Sequence, residues 1–103
     1  MIKNFNNPPL VSVYIVNHNY GDYLETAIES VLNQTLTSYE IILIDNGSTD
    51  SSRKVIENYY SNKKIKIILQ KNIGLNAANN VALKLAKGKY IIRLDADDFF
   101  DKN

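Results

Sequence analysis

Two kinds of hydrophobic pattern alternate along this chain. Short apolar runs rich in β-branched residues predict four strands, at Leu10–Val16, Tyr39–Ile44, Ile65–Leu69 and in a last run that begins at Tyr90. Between these runs, apolar residues recur at the three- and four-residue spacing that is typical of one face of a helix, and they predict three helices. The order of elements is therefore βαβαβαβ.

Local signals indicate where the helices begin and end. Asp22 and Glu25 form a D-x-x-E capping pattern ahead of the first helix, which is expected to run to about Asn33. The second helix is expected to be capped by Ser48, Thr49 or Asp50, and to bury Val55, Ile56, Tyr59 and Tyr60. The third helix is expected to end at Lys87-Gly88.

Alternating strands and helices predict an α/β fold with three layers and a mostly parallel sheet. The strands are near-continuous apolar runs, which indicates that both faces of the sheet are covered. In such a sheet ligands bind beyond the carboxyl ends of the strands, where the strand order reverses. The strand order 3-2-1-4 would place His18 and Asn19 beside Asp95 and Asp97, so that four polar loops surround one crevice.

Composition narrows the class of protein. The 103 residues support one domain, and a hydrophobic fraction of 45% is enough for a packed core. A net charge of +1 is too small to indicate a basic surface that binds nucleic acid. The absence of cysteine fits a protein of a reducing compartment. Residues 1–9 are interpreted as a flexible leader, and no apolar run is long enough to span a bilayer. A cytoplasmic protein is expected.

The last strand leads directly into Asp95, Asp97 and Asp98. In an extended continuation of the strand, Asp95 and Asp97 would share one side, because side chains alternate with period two. Two carboxylates held in this way suit a divalent cation that is itself bound to phosphate. Asp45, at the end of the second strand, could accept a hydrogen bond from a base N–H or a ribose hydroxyl.

Two common phosphate-binding motifs are missing. A dinucleotide fold would need several glycines after its first strand, where only Gly21 stands, and no Gly-Lys-Ser/Thr loop is present. Each polar motif also has a structural interpretation, since Asp45-Asn46-Gly47-Ser48 forms a good turn and His18 alone is more often a loop hydrogen-bonding residue. Their joint placement at one end of the sheet is what favours a binding site.

Taken together, these motifs resemble glycosyltransferase family 2, a family of GT-A-fold enzymes that use nucleotide sugars. The similar segments are Val11 to Asn19, Ser30 to Thr35, Asp45 to Asp50, Asn72-Ile73-Gly74 and Gly88 to Asp98. The resemblance implies an inverting transferase that uses a UDP-, dTDP- or GDP-linked sugar, Mg²⁺ or Mn²⁺, and a sugar or lipid-linked acceptor. It also implies a place in polysaccharide assembly, in which the full-length protein could be peripheral to the inner face of the membrane.

Residue roles carried over from the resemblance complete the expected site. The nucleotide sugar would be held by Val16, Asn17, His18, Asn19, Asp45, Asn46, Asn72 and Asp95. Asp97, together with Asp95, would bind the metal. His18 stands where the family often has tyrosine, Asn46 where it often has aspartate, and Asn79 where an arginine is frequent.

Residues 10–103 are expected to be the donor-binding part of a longer enzyme, because the chain stops just after the Asp-x-Asp motif. The general base is expected in the part that is missing, so no catalytic residue is assigned and the fragment is expected to be inactive. Apolar surface left uncovered could cause self-association. The alternatives are a nucleotidyltransferase-like enzyme, although its glycine- and lysine-rich loop is absent, and a non-catalytic binding module.

Overall fold

A computed structural model of the protein describes residues 8–35 and 37–100. The elements are β1 (Val11–Asn17), α1 (Gly21–Leu32), β2 (Tyr39–Asn46), α2 (Ser52–Glu57), β3 (Ile65–Gln70), α3 (Leu75–Leu85) and β4 (Tyr90–Arg93). The four strands form one parallel sheet in the order β3-β2-β1-β4. The predicted fold class and strand order are confirmed.

The two faces of the sheet pack against different helices, because successive side chains of a strand point to opposite faces. Ile15, Ile41 and Leu43 are fully buried on the face that α1 and α2 cover. Ile42 and Ile44 are fully buried on the opposite face, against α3. Each side chain of this size contributes roughly 1.5–3 kcal/mol when it is fully buried, so β1 and β2 are the best-anchored part of the sheet.

A buried carboxylate fixes the turn between α3 and β4. Oε2 of Glu40 accepts hydrogen bonds from the Ser12 hydroxyl (2.6 Å) and from the Lys87 N–H (2.7 Å), and Oγ of Ser12 accepts the Gly88 N–H (2.7 Å). Burial raises the pKa of Glu40, but these hydrogen bonds and the charge of Lys66 outweigh it, so the pKa lies below its usual value. A side chain at Gly88 would come within 2.5 Å of the Ser12 backbone nitrogen. The turn therefore requires glycine, and it sets the position at which β4 begins.

The last strand is not buried as its apolar run suggests. Tyr90, Ile91 and Ile92 are 54%, 43% and 42% exposed, and Arg93 is exposed as well. The physical reason is that β4 lies at the edge of the described sheet, and the helices pack against β1, β2 and β3, so that no residue of β4 belongs to either described core cluster. An apolar run predicts a strand, but it does not report how many neighbours that strand has. The prediction that both faces of β4 are covered is wrong for this chain.

Several predictions about the helices also fail. Tyr20 precedes α1 without a side-chain capping bond, so the predicted Asp22–Glu25 capping pattern does not form. Tyr60 is 57% exposed, whereas Tyr59 is buried and donates its hydroxyl to Glu29 (2.7 Å). The short α2 ends at Glu57, and Tyr60 lies beyond it in a turn that leaves its ring in solvent.

Two further predictions concern membrane-spanning segments and the leader at residues 1–9. None of the helices in the described part of the chain combines the length and the apolar character that crossing a bilayer requires. Most of the predicted leader lies outside the described residues, and its last two residues, Pro8 and Pro9, have no regular secondary structure.

Candidate functional site

The loops that follow the four strands leave the sheet on the same side, because the carboxyl ends of parallel strands lie next to each other. The strand order reverses beside β1, which lies between β2 and β4. The predicted site residues of β1 and β2 are in register, with Val16 opposite Ile44 and Asn17 opposite Asp45. The ends of β1 and β2 therefore lie side by side at this end of the sheet.

Asp45 is fully buried, and its carboxylate is surrounded by hydrogen-bond donors. Oδ1 accepts from Nδ2 of Asn17 (2.9 Å) and from the Ser48 hydroxyl (2.6 Å). Oδ2 accepts from the Ser48 N–H (3.2 Å) and from Nε of Arg53 (2.8 Å). Burial raises the pKa of Asp45, but the bonds from Ser48, Arg53 and Asn17 outweigh it and hold the pKa below its usual value.

These contacts change the interpretation of two predicted site residues. Asn17 is also fully buried, and its amide nitrogen donates to Asp45 and to Ser48. Both side chains have no exposed surface, and the amide nitrogen of Asn17 and both carboxylate oxygens of Asp45 are bonded within the protein, while Oδ1 of Asn17 is buried without a partner among the described residues. The geometry therefore assigns Asn17 and Asp45 a positioning role.

Asn19 ties the loop after β1 to the loop after β2. Its backbone is in the left-handed region (φ 61°), which asparagine tolerates better than most residues. In this conformation its Oδ1 accepts the N–H groups of Thr49 (2.7 Å) and Asp50 (3.2 Å), while its own N–H donates to Oγ of Ser48 (3.0 Å). The carboxylate of Asp50 in turn accepts the N–H groups of Gly21 and of Ser52 at the start of α2. One of the three residues predicted to cap α2 therefore does bond to its first turn.

Asn46 connects the end of β2 to the loop after β3 by hydrogen bonds. Its Oδ1 accepts from Nε2 of Gln70 (3.2 Å) and from the Ile73 N–H (3.1 Å), and its Nδ2 donates to Oδ1 of Asn72 (3.2 Å). The neighbouring Gly47 has φ 76°, and a side chain there would come within 2.7 Å of the Asn72 backbone nitrogen. The loops after β2 and β3 are thus packed closely together.

A cavity of about 290 Å³ opens where these loops meet. Its lining consists of Val16, His18, Tyr20, Asn46, Asn72 and Leu75. Four of these residues belong to the predicted site, whereas Tyr20 and Leu75 were missed. In the sequence each is a large side chain placed directly after a polar loop, Tyr20 after His18-Asn19 and Leu75 after Gly74, and this placement is the signal that could have revealed them. The volume is close to the lower end of the range for small-molecule sites, so the cavity suits one portion of a ligand.

The acidic motif lies in a turn. Leu94 and Ala96 are buried while Asp95 and Asp97 are exposed, so burial still alternates as predicted. The backbone is not extended, however, because the Asp98 N–H donates to the Asp95 carbonyl (2.9 Å). The prediction that an extended backbone places the two carboxylates on one side is therefore wrong in its geometry.

The carboxylates of this turn remain accessible to a ligand. Oδ1 of Asp95 lies 3.5 Å from Nε of Arg93 in an exposed ion pair, which contributes little to stability. Within residues 8–35 and 37–100, no three acidic or histidine side chains are close enough to hold a metal by themselves. The two exposed carboxylates are hard oxygen ligands, and they fit a divalent cation whose other ligands come from phosphate and water.

With the geometry in place, comparison with known proteins identifies the family. The model of the family described as glycosyl transferase family 2 matches residues 12–103. The chain belongs to this family. Chondroitin synthase of Escherichia coli is 43% identical over 94 residues, which is 90% of this chain and 14% of that protein. The glycosyltransferase EpsJ of Bacillus subtilis, whose function is uncharacterised, is 40% identical over 92 residues, or 88% of this chain and 27% of that protein.

Solved structures of the same fold agree with this family assignment. The structure of residues 1–349 of S. aureus TarS superimposes with a TM-score of 0.81 at 28% identity, over 89% of this chain and 28% of that one. A mannosyltransferase from Pyrobaculum calidifontis gives the same TM-score at 21% identity, over 92% of this chain and 29% of that one. The matched part of this chain spans between a tenth and about two fifths of the length of the family members described above and of their relatives.

Proposed function

We propose that this chain forms the donor site of a glycosyltransferase that uses a nucleoside-diphosphate sugar. The observation that carries the proposal is a cavity lined by the loops after β1, β2 and β3, together with an exposed Asp-x-Asp turn that follows β4, the strand next to β1. The TarS structures support it, since that protein has been solved in complex with UDP and with UDP-GlcNAc, in each case at 28% identity to this chain.

The cavity would hold the base of the nucleotide. Val16, His18, Asn46 and Asn72 line it, and all four are among the residues predicted to bind the nucleotide sugar. The other predicted residues of these loops would act indirectly, because Asn17, Asn19 and Asp45 are bonded to neighbouring loops.

The exposed carboxylates would serve the diphosphate through Mg²⁺ or Mn²⁺, with Asp97 as the main ligand and Asp95 beside it. A cation bound there would neutralise the negative charge of the departing diphosphate and make it a better leaving group. The side chain of Asp97 is exposed and has no hydrogen-bond partner in the described part of the chain, so nothing opposes this role.

Sugar transfer would also need a general base, and none of the described residues is assigned to that role. We propose inversion by single displacement, in which a general base outside this chain takes the proton of a sugar or lipid-linked acceptor hydroxyl. This chain alone would then bind donor and transfer little or no sugar. The names of its relatives favour polysaccharide assembly as the pathway. We propose that this step takes place in the cytoplasm or at the inner face of the membrane.

The exposed edge of β4 would promote self-association of this chain. Ile91 and Ile92 are apolar on opposite faces of the strand, and within residues 8–35 and 37–100 no strand pairs with the edge of β4 that β1 does not use. Edge strands of this kind are templates for pairing with another strand.

Calorimetric titration with UDP, dTDP and GDP, each with and without Mn²⁺, tests the function. We expect weak binding of a nucleoside diphosphate that strengthens when Mn²⁺ is present. Asp97→Ala should remove the effect of the metal, whereas Asp22→Ala, at an exposed aspartate of α1, should leave it intact. Absence of binding to every nucleotide, or a metal effect that survives in Asp97→Ala, would overturn the proposal.

A further inference from the structure

The imidazole of His18 is held between two groups that determine which of its nitrogens carries the proton. Nδ1 lies 2.9 Å from the backbone carbonyl oxygen of Asn46, and a carbonyl oxygen can only accept. Nε2 lies 3.4 Å from Nδ2 of Asn19, and an amide nitrogen of this kind only donates. The orientation of the Asn19 amide is itself fixed, because its oxygen accepts the N–H groups of Thr49 and Asp50.

Both neighbours therefore require the same tautomer of the neutral ring. Nδ1 carries the hydrogen and donates it to Asn46, and Nε2 has a free electron pair. The contact from Asn19 to Nε2 is long and exposed, so a better donor could replace it. His18 is thus a hydrogen-bond acceptor at the wall of the cavity that it lines.

The amide side chains of the same cavity offer the opposite kind of group. Oδ1 of Asn46 is occupied by the donors of Gln70 and Ile73. Oδ1 of Asn72 is occupied by Nδ2 of Asn46 and by the Gly74 N–H (2.9 Å). Within the described part of the chain, the hydrogens of Asn72 Nδ2 and the second hydrogen of Asn46 Nδ2 are not used. The amides of the cavity therefore present donors, and His18 presents an acceptor.

We propose that His18 determines which base this site accepts, and that the base is uracil or thymine. The ring nitrogen N3–H of these bases would donate to Nε2 of His18, and the carbonyl oxygens on either side of it would accept from the amides of Asn46 and Asn72. Cytosine and adenine have an unprotonated ring nitrogen at the corresponding place. This nitrogen and Nε2 of His18 are both acceptors, so no hydrogen bond could form between them. Guanine has the ring N–H, but an amino group replaces one of its carbonyls and would oppose an amide donor.

This inference rests on the proposed function, since it assigns the class of donor for the same site. The donor would be a uridine or thymidine diphosphate sugar. A site that is built to hydrogen-bond one edge of a ligand discriminates against an analogue that leaves its polar groups unpaired. We expect UDP to bind about tenfold more tightly than CDP, which corresponds to about one mismatched hydrogen bond.

The tautomer can be measured directly, because His18 is the only histidine of the chain. In a sample with ¹⁵N-labelled histidine, the two ring nitrogens give separate signals whose shifts distinguish N–H from bare nitrogen. We expect the Nδ1–H form, with the Nε2 signal moving on addition of UDP and diamagnetic Mg²⁺ and staying in place on addition of CDP and Mg²⁺. An Nε2–H tautomer, or equal responses to UDP and CDP, would overturn the inference.

Calorimetric titration of the His18→Asn variant is a second test of the base preference. The asparagine amide can still donate to the Asn46 carbonyl, but it does not reach the place of Nε2. The UDP-to-CDP preference should fall close to one, while the dependence on Mn²⁺ persists. If wild-type protein binds UDP and CDP equally with Mn²⁺, or if His18→Asn keeps the full preference, the base assignment fails and the donor-site proposal stands. If none of the nucleotides binds, both fail.

Discussion

Replacing Asp45 by asparagine tests the assignment of this residue to structure. The substitution keeps the size of the side chain but removes its charge, and it places an NH₂ group where the carboxylate now accepts from donors on every side. Whichever way the amide turns, it faces either Ser48 N–H and Arg53 or Asn17 and the Ser48 hydroxyl. At least one donor is then opposed by another donor inside the protein.

The magnitude follows from the number and burial of these bonds. A hydrogen bond to a charged group contributes about 1.5–3 kcal/mol, and removing one partner of a buried charged network costs about 3–5 kcal/mol. The side chain of Arg53 is 45% exposed and can be hydrated when its partner is lost, so its share is discounted. We therefore expect Asp45→Asn to lower the free energy of unfolding by about 3 kcal/mol, a large part of the stability of a domain of this size.

Urea denaturation at pH 7 measures this change, with Asp22→Asn as the matched control at an exposed aspartate. The pH dependence provides a second test. Because the pKa of Asp45 is lowered by folding, its contribution is present above the unfolded pKa of about 4 and is lost as the pH falls through the folded value. The difference between wild type and Asp45→Asn should therefore shrink below about pH 4. A cost at pH 7 under about 1 kcal/mol, or a difference that does not depend on pH, would refute the reasoning.

Three further changes have definite expected outcomes. Gly88→Ala would bring a methyl group against the Ser12 backbone and should cost about 1–3 kcal/mol in urea denaturation, which a wild-type midpoint would contradict. Tyr59→Phe removes the hydrogen bond to Glu29 and should lower the free energy of unfolding by about 1 kcal/mol in the same assay. An unchanged free energy of unfolding would contradict this contact. Ile92→Lys, at the edge strand, should shift the protein toward monomer in sedimentation velocity, and wild type that is already monomeric at high concentration would remove the basis for self-association.

The fold could be predicted from the sequence because its signals are local and mutually consistent. The β-branched runs of β1 to β3 and the helical spacing between them leave few topologies for a parallel sheet. The burial of β4 could not be predicted, since Ile91 and Ile92 form the same pattern in a central strand as in an edge strand. How much of an apolar run is covered depends on neighbours that the run itself does not specify.

The site shows the same division between local and long-range information. The placement of polar loops at one edge follows from the order of the elements. The roles within the loops do not, because Asp45 is surrounded by donors that include Asn17, 28 residues away in the chain. The pattern Asp-Asn-Gly-Ser fits a turn, a ligand and a buried network equally well. The contacts decide between them, and they favour the network for Asp45 and the cavity wall for Asn46.

The central claim is that the Asp-x-Asp turn and the cavity beside β1 serve one ligand, and residue-resolved NMR tests it most directly. In a ¹⁵N-labelled sample, Mn²⁺ broadens the signals of nuclei that lie close to it. We predict that, with UDP present, traces of Mn²⁺ broaden the amide signals of residues 94–98 most strongly, and that UDP with diamagnetic Mg²⁺ shifts those of His18 and Asn46. Broadening that is strongest in another part of the chain, or UDP shifts that leave the cavity residues unchanged, would contradict the account.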